Sequence, residues 1–309
     1  MPCEHSIHEQ DGIAVHHLDT QDVKVKIIPE LGAKIAGLLD KRTGREWMWS
    51  PPGGRLFRSA FASAFDQSTL TGADECLPTI AACKWNGRVL PDHGELWSLP
   101  WKAETVPHGL KTTLQCVVSP FLIERSATLE ANRLKLDYRL MNQGTQPEPY
   151  IWALHPLMTI LPGDRLEIPA CEIELEVALG RDLGGRGEKI AWPHPAPGMD
   201  LALMDFGPGG GAALKGFVKN PAEKRADIIN NSGGGRMSIR FSGDSLDALG
   251  IWINRGAWNG HHHVALEPTN GSPDALDAAV KGNHHGLILP GQTLAWQVVL
   301  EVSEDGEGV

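Results

Sequence analysis

Short stretches in which apolar and polar residues alternate are the main pattern along the chain. Residues 23–28 alternate with a period of two and end at Pro29, which is typical of a β-strand with one buried face. Comparable segments recur between turn residues, at 34–40, 45–49, 112–118, 122–129, 133–140, 149–155, 172–177, 236–241, 249–254, 263–267 and 294–302. No long amphipathic helices separate them. The pattern therefore predicts an all-β fold, a large antiparallel β-sandwich with few short helices.

One short helix is predicted just after residue 272. Ser272 is a suitable N-cap, Pro273 suits the first helical position and Asp274 places a negative charge in the first turn. Lys281 and Gly282 supply a cation and a glycine at the other end, as is common at helix C-termini. We expect this helix to have about two turns and to pack across a sheet edge.

The chain has 309 residues and shows no internal repeat or shift in composition. A β-sandwich of this size commonly folds as one unit, so we expect a single domain over residues 1–309. The glycine-rich segments at 180–187 and 207–211 lack the strand, helix and Gly-Lys-Ser/Thr context of a phosphate-binding loop. They are interpreted as turns.

The net charge of −10 argues against nucleic acid or an anionic membrane as a partner. No apolar run approaches the 18 residues of a membrane span, and the first residues lack the pattern of a signal peptide. The five cysteines form no CxxC pair and are odd in number, which excludes a closed disulfide framework. We therefore expect a cytoplasmic protein with reduced thiols.

A carboxylate in the 263–267 strand is the first candidate for chemistry. Because strand residues alternate in direction, Glu267 shares a face with His263. It is followed by Pro268 and a turn, so we expect it at the end of the strand. It is either a general base or a carboxylate that caps the following turn or helix.

Two histidines and one acidic pair are further candidates. His155 ends the 149–155 segment, and His93 lies in a turn whose Gly94 would let a ligand approach the backbone closely. Either histidine is a catalytic or a structural residue. Asp74 and Glu75 lie between Gly72 and Pro78, in a segment that we expect to be an exposed loop.

Clustered histidines raise the possibility of a metal site. His261 and His263 share one strand face, and His284 and His285 follow later in the chain. No carboxylate or cysteine cluster stands nearby at a ligand spacing. Incidental or hydrogen-bonded histidines are the preferred interpretation, and metal binding is kept as an alternative.

Tryptophan is unusually frequent, with ten residues against two tyrosines. Indole faces stack on the C–H surfaces of sugar rings, and the indole N–H can donate to a hydroxyl group. Core packing is the alternative role. Trp97, Trp252 and Trp258 lie near predicted strand ends or loops, so they are candidates for contact with a sugar.

Taken in order, these segments resemble the aldose 1-epimerase (galactose mutarotase-like) superfamily from about residue 23 to residue 302. The pair of segments at 32–38 and 45–49 is similar to the opening hairpin of the family. His93-Gly94 is similar to its His-Gly loop, and His155-Pro156 resembles the strand-end His-Pro that supplies a general acid. Glu267-Pro268 resembles the Glu-Pro that supplies the general base.

The resemblance implies a sandwich of the supersandwich type with a monosaccharide in a groove on one concave sheet face. The implied catalytic residues are Glu267, as base on the anomeric hydroxyl, and His155, as acid on the ring oxygen. His93 is implied to hold and orient the sugar. Such acid–base ring opening requires no metal and no cofactor.

The chain departs from the family pattern before the His-Gly loop. An Asn-Arg pair or nearby arginines are usual there, whereas this chain has Asp74 and Glu75. Two carboxylates disfavour a phosphorylated sugar and suit neutral hydroxyls. We therefore expect Asp74 and Glu75 to bind substrate, together with Trp97, Trp252 and Trp258.

The function that follows is interconversion of the α and β anomers of a free, non-phosphorylated sugar or sugar acid, an isomerase activity of carbohydrate metabolism. The alternative is a non-catalytic carbohydrate-binding or regulatory protein on the same fold. A related lyase or isomerase is a third interpretation. The pattern does not predict an oligomeric state.

Overall fold

The computed structural model describes residues 3–204, 211–230 and 232–304 of the chain. Most of the glycine-rich segment at 207–211 lies outside these ranges. The described residues are mainly extended. The first strands in chain order are β1 (Glu4–Gln10), β2 (Ile13–Asp19), β3 (Val23–Ile28), β4 (Lys34–Asp40), β5 (Arg45–Glu46), β6 (Ala73–Cys76), β7 (Cys83–Trp85), β8 (Arg88–Leu90), β9 (Lys102–Val106), β10 (Gly109–Gln115), β11 (Phe121–Glu130) and β12 (Arg133–Asn142). They are followed by β13 (Glu148–Tyr150), β14 (Ala153–Pro156), β15 (Asp164–Glu167), β16 (Glu172–Leu179), β17 (Lys189–Ala191), β18 (Leu203–Met204), β19 (Ala212–Lys219), β20 (Arg225–Asn230), β21 (Gly235–Ser242), β22 (Ala248–Arg255), β23 (His262–Thr269), β24 (Gly286–Ile288) and β25 (Thr293–Ser303).

Two large sheets contain most of these strands. In the described residues the first sheet has 12 strands in the order β1-β2-β3-β4-β6-β14-β23-β22-β19-β16-β17, with β5 paired to β4. The second has nine strands in the order β18-β15-β20-β21-β25-β12-β11-β10-β9. Neighbouring strands pair antiparallel throughout, as in β22 with β23 and β11 with β12. The predicted all-β, antiparallel sandwich is confirmed.

The main hydrophobic cluster lies between the two sheets. Leu266 and Ile251 of the 12-stranded sheet belong to the same buried cluster as Leu136 and Val298 of the nine-stranded sheet. Along β23, Val264 and Leu266 join this cluster while His263, Ala265 and Glu267 do not. Because side chains alternate between the faces of a strand, the second set faces away from the partner sheet. This open face of the 12-stranded sheet carries the candidate site.

The predicted strands with a clear period of two are found with small changes of boundary. Residues 23–28 and 34–40 form β3 and β4 with the predicted ends. The segment at 149–155 is divided between β13 and β14, which pair with different neighbours. Among the strands that were not predicted, β6 contains Asp74 and Glu75, so the interpretation of this segment as an exposed loop was wrong.

Two three-residue 3-10 helices, η1 (Pro29–Leu31) and η2 (Phe65–Gln67), accompany one α-helix, α1 (Leu276–Lys281), in the described residues. The helix begins later than predicted, with Ala275 at the N-cap. Ser272 does not cap it, because its hydroxyl contacts Nδ1 of His284 (2.7 Å). Instead, the hydroxyl of Thr79 accepts from the backbone N–H of Leu276 (3.1 Å). A cap supplied from a distant part of the chain cannot be read from local sequence.

No helix in the described ranges combines the length and the apolar character needed to cross a bilayer.

Candidate functional site

Glu267 lies on the open face of the 12-stranded sheet. Glu267 lies within β23, two residues before its end at Thr269, and is fully buried. The expectation that the strand ends at Glu267 was therefore wrong. Gly250 is its cross-strand neighbour on β22, and a Cβ at position 250 would lie 2.9 Å from Oε2 of Glu267. The glycine therefore leaves room for the carboxylate.

His155 lies beside Glu267 on the adjacent strand β14. Its Nε2 is 3.6 Å from Oε1 of Glu267, and the ring is nearly buried. Burial, together with the nearby charges of His93 and Lys215, holds the pKa of His155 well below its usual range. The imidazole is consequently neutral near pH 7, with one N–H donor and one acceptor nitrogen.

His93 reaches the same place from a turn. The residue has a positive φ of 56°, and its Nδ1 is 2.9 Å from Oδ1 of Asp92. Its ring stacks on Phe65 with centroids 3.8 Å apart and meets the ring of His155 edge-on at 5.2 Å. The following Gly94 also has a positive φ of 72°. The structure thus brings His93, His155 and Glu267 together although they are far apart in sequence.

His93 and His155 line an open pocket with a volume of about 390 Å³, whereas Glu267 is fully buried next to His155 and is not in the lining. Such a volume suits a small ligand. Trp252, which is partly buried, and Trp258, which is 47% exposed, lie on the wall with their ring centroids 6.1 Å apart. The remaining lining residues include Phe65, Asp66, Leu70, Asp92, His93, His155, Leu157, Lys215, Asn254, His261, His263 and Asp274.

The acidic pair that was expected to bind substrate is placed elsewhere. Asp74 and Glu75 are fully buried in β6, and neither lines the pocket. Asp74 forms an ion pair with Lys34. Burial raises the pKa of Asp74, and the ammonium of Lys34 opposes that rise.

Glu75 points between the sheets rather than toward the pocket. Its Oε1 accepts from Nη1 of Arg125 and from the hydroxyl of Tyr138 (2.8 Å each), and its Oε2 accepts from Nε1 of Trp152 (2.9 Å). This buried network gives Glu75 a structural role. The expected contact with sugar hydroxyls does not fit this position.

Trp97 also stays behind the pocket wall. It is 3% exposed, its ring meets Phe65 edge-on at 5.3 Å, and its Nε1 donates to the backbone carbonyl of Asp92 (2.9 Å). It therefore supports the segments that carry Phe65 and His93 and is not in the lining. Of the three candidate tryptophans, Trp252 and Trp258 reach the pocket.

Two charged residues of the site were missed by the sequence analysis. Lys215 on β19 forms an ion pair with Oε2 of Glu267, and its Nζ is 3.7 Å from Oδ1 of Asp274. The available signal was a single lysine in an otherwise apolar run, Ala212-Ala213-Leu214-Lys215-Gly216-Phe217-Val218. Asp274 was interpreted as a first-turn helix residue, but it precedes α1 and lines the pocket.

Burial and charge act on Glu267 in opposite directions. Burial raises the pKa of Glu267, Lys215 opposes this rise, and Asp274 adds to it. For Lys215, burial disfavours the charged form, but Asp274 and Glu267 outweigh it and raise its pKa above the ordinary value. The ammonium thus stabilises an ionised carboxylate in a place where burial alone would favour the neutral acid.

The histidines at 261 and 263 both line the pocket, with ring centroids 6.3 Å apart. Nε1 of Trp252 donates to Nε2 of His263 (3.2 Å), which gives His263 a hydrogen-bonded role. Within residues 3–204, 211–230 and 232–304, no group of three or more His, Cys, Asp or Glu side chains is arranged to hold a metal ion.

No known protein-family model and no curated protein sequence matches the chain. Solved structures do match over nearly its full length. A protein from Synechocystis sp. has a TM-score of 0.73 at 19% identity, covering 96% of this chain and 98% of its own. A candidate aldose 1-epimerase from Escherichia coli has a TM-score of 0.66 at 16% identity, with 97% and 100% covered.

A galactose mutarotase-like protein from Clostridium acetobutylicum has a TM-score of 0.71 at 12% identity, covering 98% of this chain and 99% of its own. Identities this low establish a common architecture and leave activity and substrate to be argued from the site. The resemblance inferred from the sequence is confirmed at the level of the fold. The two packed antiparallel sheets of this chain form a galactose mutarotase-like β-sandwich.

Proposed function

We propose that the protein interconverts the α and β anomers of a free, non-phosphorylated sugar by acid–base ring opening, as a cofactor-independent isomerase. The observation that carries the proposal is the 3.6 Å approach of Nε2 of His155, which lines the pocket, to Oε1 of the buried Glu267 next to it. A structural neighbour from Escherichia coli with the same fold is a candidate aldose 1-epimerase, which supports the same reaction class.

The proposed chemistry uses two proton transfers, one from the O1 hydroxyl of the sugar and one to its ring oxygen O5. Oε1 of Glu267 takes the proton from the O1 hydroxyl, the C1–O1 bond becomes a carbonyl and the C1–O5 bond breaks. The N–H of His155 passes a proton to O5 while the carboxyl of Glu267 returns one to the imidazole, so the net transfer is from O1 to O5, the open-chain aldehyde forms and both side chains regain their starting protonation states. Rotation about C1–C2 and reversal of these transfers close the ring with O1 on the opposite face.

The remaining pocket groups are assigned to binding. His93 is assigned a hydrogen bond to a sugar hydroxyl, and Trp252 and Trp258 are assigned stacking on the C–H surface of the sugar, because all three line the pocket. Because His155 is neutral near pH 7, it serves O5 through its single N–H and not as a fixed cation.

The preference for a non-phosphorylated sugar rests on the charges that the pocket presents. Its described lining contains the carboxylates of Asp66, Asp92 and Asp274. Lys215 is its single lysine or arginine, and this cation is already paired with Glu267. A phosphate group would therefore meet more negative than positive charge. Asp74 and Glu75, which the sequence analysis used for the same conclusion, take no part because they are paired inside the fold.

The test is the exchange rate between the anomer signals of unphosphorylated aldoses and sugar acids, measured by NMR with and without protein. We expect acceleration for at least one sugar of the panel, and loss of that acceleration in Glu267→Gln. Replacement of the exposed Glu130 at the end of β11 by Gln is the matched control and should retain it. Sugar binding without acceleration would instead support a carbohydrate-binding protein on this fold.

A further inference from the structure

The proposed base belongs to a buried ion cluster. The ammonium of Lys215 stands between Glu267 and Asp274, in contact with Oε2 of Glu267 and 3.7 Å from Oδ1 of Asp274. The side chain of Lys215 is 6% exposed, that of Glu267 is 0% exposed and that of Asp274 is 16% exposed. A cation with two carboxylates at this depth is far from the usual surface ion pair.

The two oxygens of Glu267 have different surroundings. Oε2 is held by Lys215, whereas Oε1 faces Nε2 of His155 at 3.6 Å. Oε1 forms no hydrogen bond with any of the described residues. The ammonium therefore fixes the rotation of the carboxylate and leaves one oxygen, on the His155 side, able to accept a proton.

Asp274 is held in place by its own backbone. Its carbonyl oxygen accepts from the N–H groups of Ile80 and Ala81 (3.0 Å each) and from the hydroxyl of Thr79 (3.2 Å). The carboxylate is thus presented to Lys215 from a fixed segment. Its charge therefore competes with that of Glu267 for the same ammonium.

The other ionisable groups near this cluster come from four elements. His155 lies on β14, His93 on the turn after β8, Cys76 on β6 and Glu176 on β16. Burial raises the pKa of the Cys76 thiol well above its ordinary value and lowers that of His155, so both are neutral near pH 7. Glu176 is paired with Arg186. Lys215 and Asp274 therefore provide the principal charges that act on Glu267.

We propose that Lys215 and Asp274 are positioning residues that set the ionisation and orientation of Glu267 in opposite senses. Lys215 keeps the carboxylate charged and turned toward His155, and Asp274 restrains this effect by sharing the ammonium. The catalytic meaning of this arrangement rests on the proposed function. The ionisation of Glu267 itself can be measured without any substrate.

The direct test is the titration of Glu267, followed by NMR in protein labelled with 13C at glutamate carboxyl carbons. The Glu267 signal is identified by its loss in Glu267→Gln. Lys215→Met should move the midpoint upward by about 1 to 3 pH units, because an opposite charge in contact is removed. Asp274→Asn should move it downward by a smaller amount, since a like charge is removed.

Two matched variants control for nonspecific effects. The first is Lys219→Met, since Lys219 lies on the same strand as Lys215 in a more exposed ion pair with Glu174. The second is Asp277→Asn, since Asp277 lies in α1 beside Lys281. Neither should move the midpoint. If Lys215→Met does not fold, Lys215→Arg and Asp274→Asn carry the test. Lys215→Arg should keep the titration midpoint of Glu267 within about half a pH unit of the parent value.

An unchanged midpoint in Lys215→Met, or shifts of the same sign in Lys215→Met and Asp274→Asn, would overturn the proposal. Where anomer exchange is observed, the acid limb of its pH profile should move in the direction of the titration midpoint. Absence of exchange in the parent protein would count against the proposed function, while the titration would still decide the role of Lys215 and Asp274.

Discussion

The charge of Glu267 can be removed while the ion pair between Lys215 and Asp274 remains. In Glu267→Gln, one acceptor oxygen and the side-chain shape remain, and Lys215 keeps Asp274 as a counter-ion. We expect sugar affinity to change little while anomer exchange falls by about 10² to 10⁴-fold, the usual contribution of a general base. Exchange rates from NMR and affinities from calorimetry separate the two effects.

His155→Asn provides the companion measurement, because donation to O5 matters mainly in the transition state. Retention of most exchange activity in Glu267→Gln would show that the base lies elsewhere. Glu75 is not a suitable replacement, since it is buried between the sheets. Asp274, which lines the pocket, would then be the next carboxylate to test.

Asp74 differs from Glu267 in what its replacement leaves behind. When Asp74 loses its charge, the buried ammonium of Lys34 loses its counter-ion. The sequence suggests that Asp74→Asn would act through KM, but the structure pairs Asp74 with the buried Lys34 away from the pocket lining. We expect Asp74→Asn to cost about 3 to 5 kcal/mol of the free energy of unfolding, as for other buried pairs that lose one partner. Urea denaturation measures this cost.

The double variant Lys34→Met/Asp74→Leu replaces both charges by apolar groups. It should be more stable than Asp74→Asn, because no buried charge is left unpaired. A stability of Asp74→Asn close to that of the parent protein, combined with a raised KM for exchange, would return Asp74 to the substrate-binding residues.

The turn that carries His93 depends on a glycine whose surroundings admit no side chain. Gly94 has a φ of 72°, and a Cβ there would lie 2.1 Å from the carbonyl oxygen of Leu77. Gly87, in the turn between β7 and β8, has a similar φ of 75° but nothing within 4 Å of such a Cβ. The two positions separate backbone strain from steric conflict.

We expect Gly87→Ala to cost about 1 to 2 kcal/mol, the usual penalty for a left-handed alanine. Gly94→Ala should cost more, because the backbone of Leu77 or of the His93 turn has to move. Sugar affinity should fall with it, since His93 is displaced. Urea denaturation and sugar titration of both variants measure these effects, and equal stability losses would contradict the argument.

At the scale of elements, alternation was a reliable guide where strands are long and one face is polar. β3 and β4 were predicted with their observed ends. β6 was missed because two of its four residues are acidic, a composition typical of an exposed loop. In the structure all four residues are buried. The cations that neutralise them, Lys34 and Arg125, lie 40 and 50 positions away, and sequence alone does not show that pairing.

The candidate site shows the same division between local and distant information. His93, His155 and Glu267 were found because each stands in a short motif with a neighbouring glycine or proline. Lys215 has no such motif, and its meaning depends on the register that sets β19 beside β22, with β23 next to it. A site assembled from several strands and loops contains contacts that no single segment reveals.

Over the whole molecule, the response of stability to pH is a sum of opposing contributions. Burial raises the pKa values of Glu267, Asp74 and Glu75, so these groups favour the folded state as the pH falls. Buried histidines act in the opposite sense. A variant of one histidine isolates its contribution because the other groups cancel in the comparison.

His263 is the most suitable histidine for this comparison. Burial, and then the nearby His261 and His262, lower its pKa to about 3. An unfolded chain protonates histidine near pH 6.5, so below that pH the unfolded state binds one more proton than the folded state. The stability contribution of His263 is therefore present above pH 6.5 and is lost as the pH falls toward about 3.

We expect the parent protein to lose about 2 kcal/mol of its free energy of unfolding relative to His263→Gln between pH 7.5 and pH 5. Gln offers an oxygen that can accept from Nε1 of Trp252 in place of Nε2 of His263 and does not titrate. Urea denaturation at half-unit intervals of pH gives both curves, and their separation should be constant above pH 7.5. Parallel curves down to pH 5 would mean that folded His263 takes up its proton as readily as the unfolded chain does, which its buried position on the pocket wall argues against.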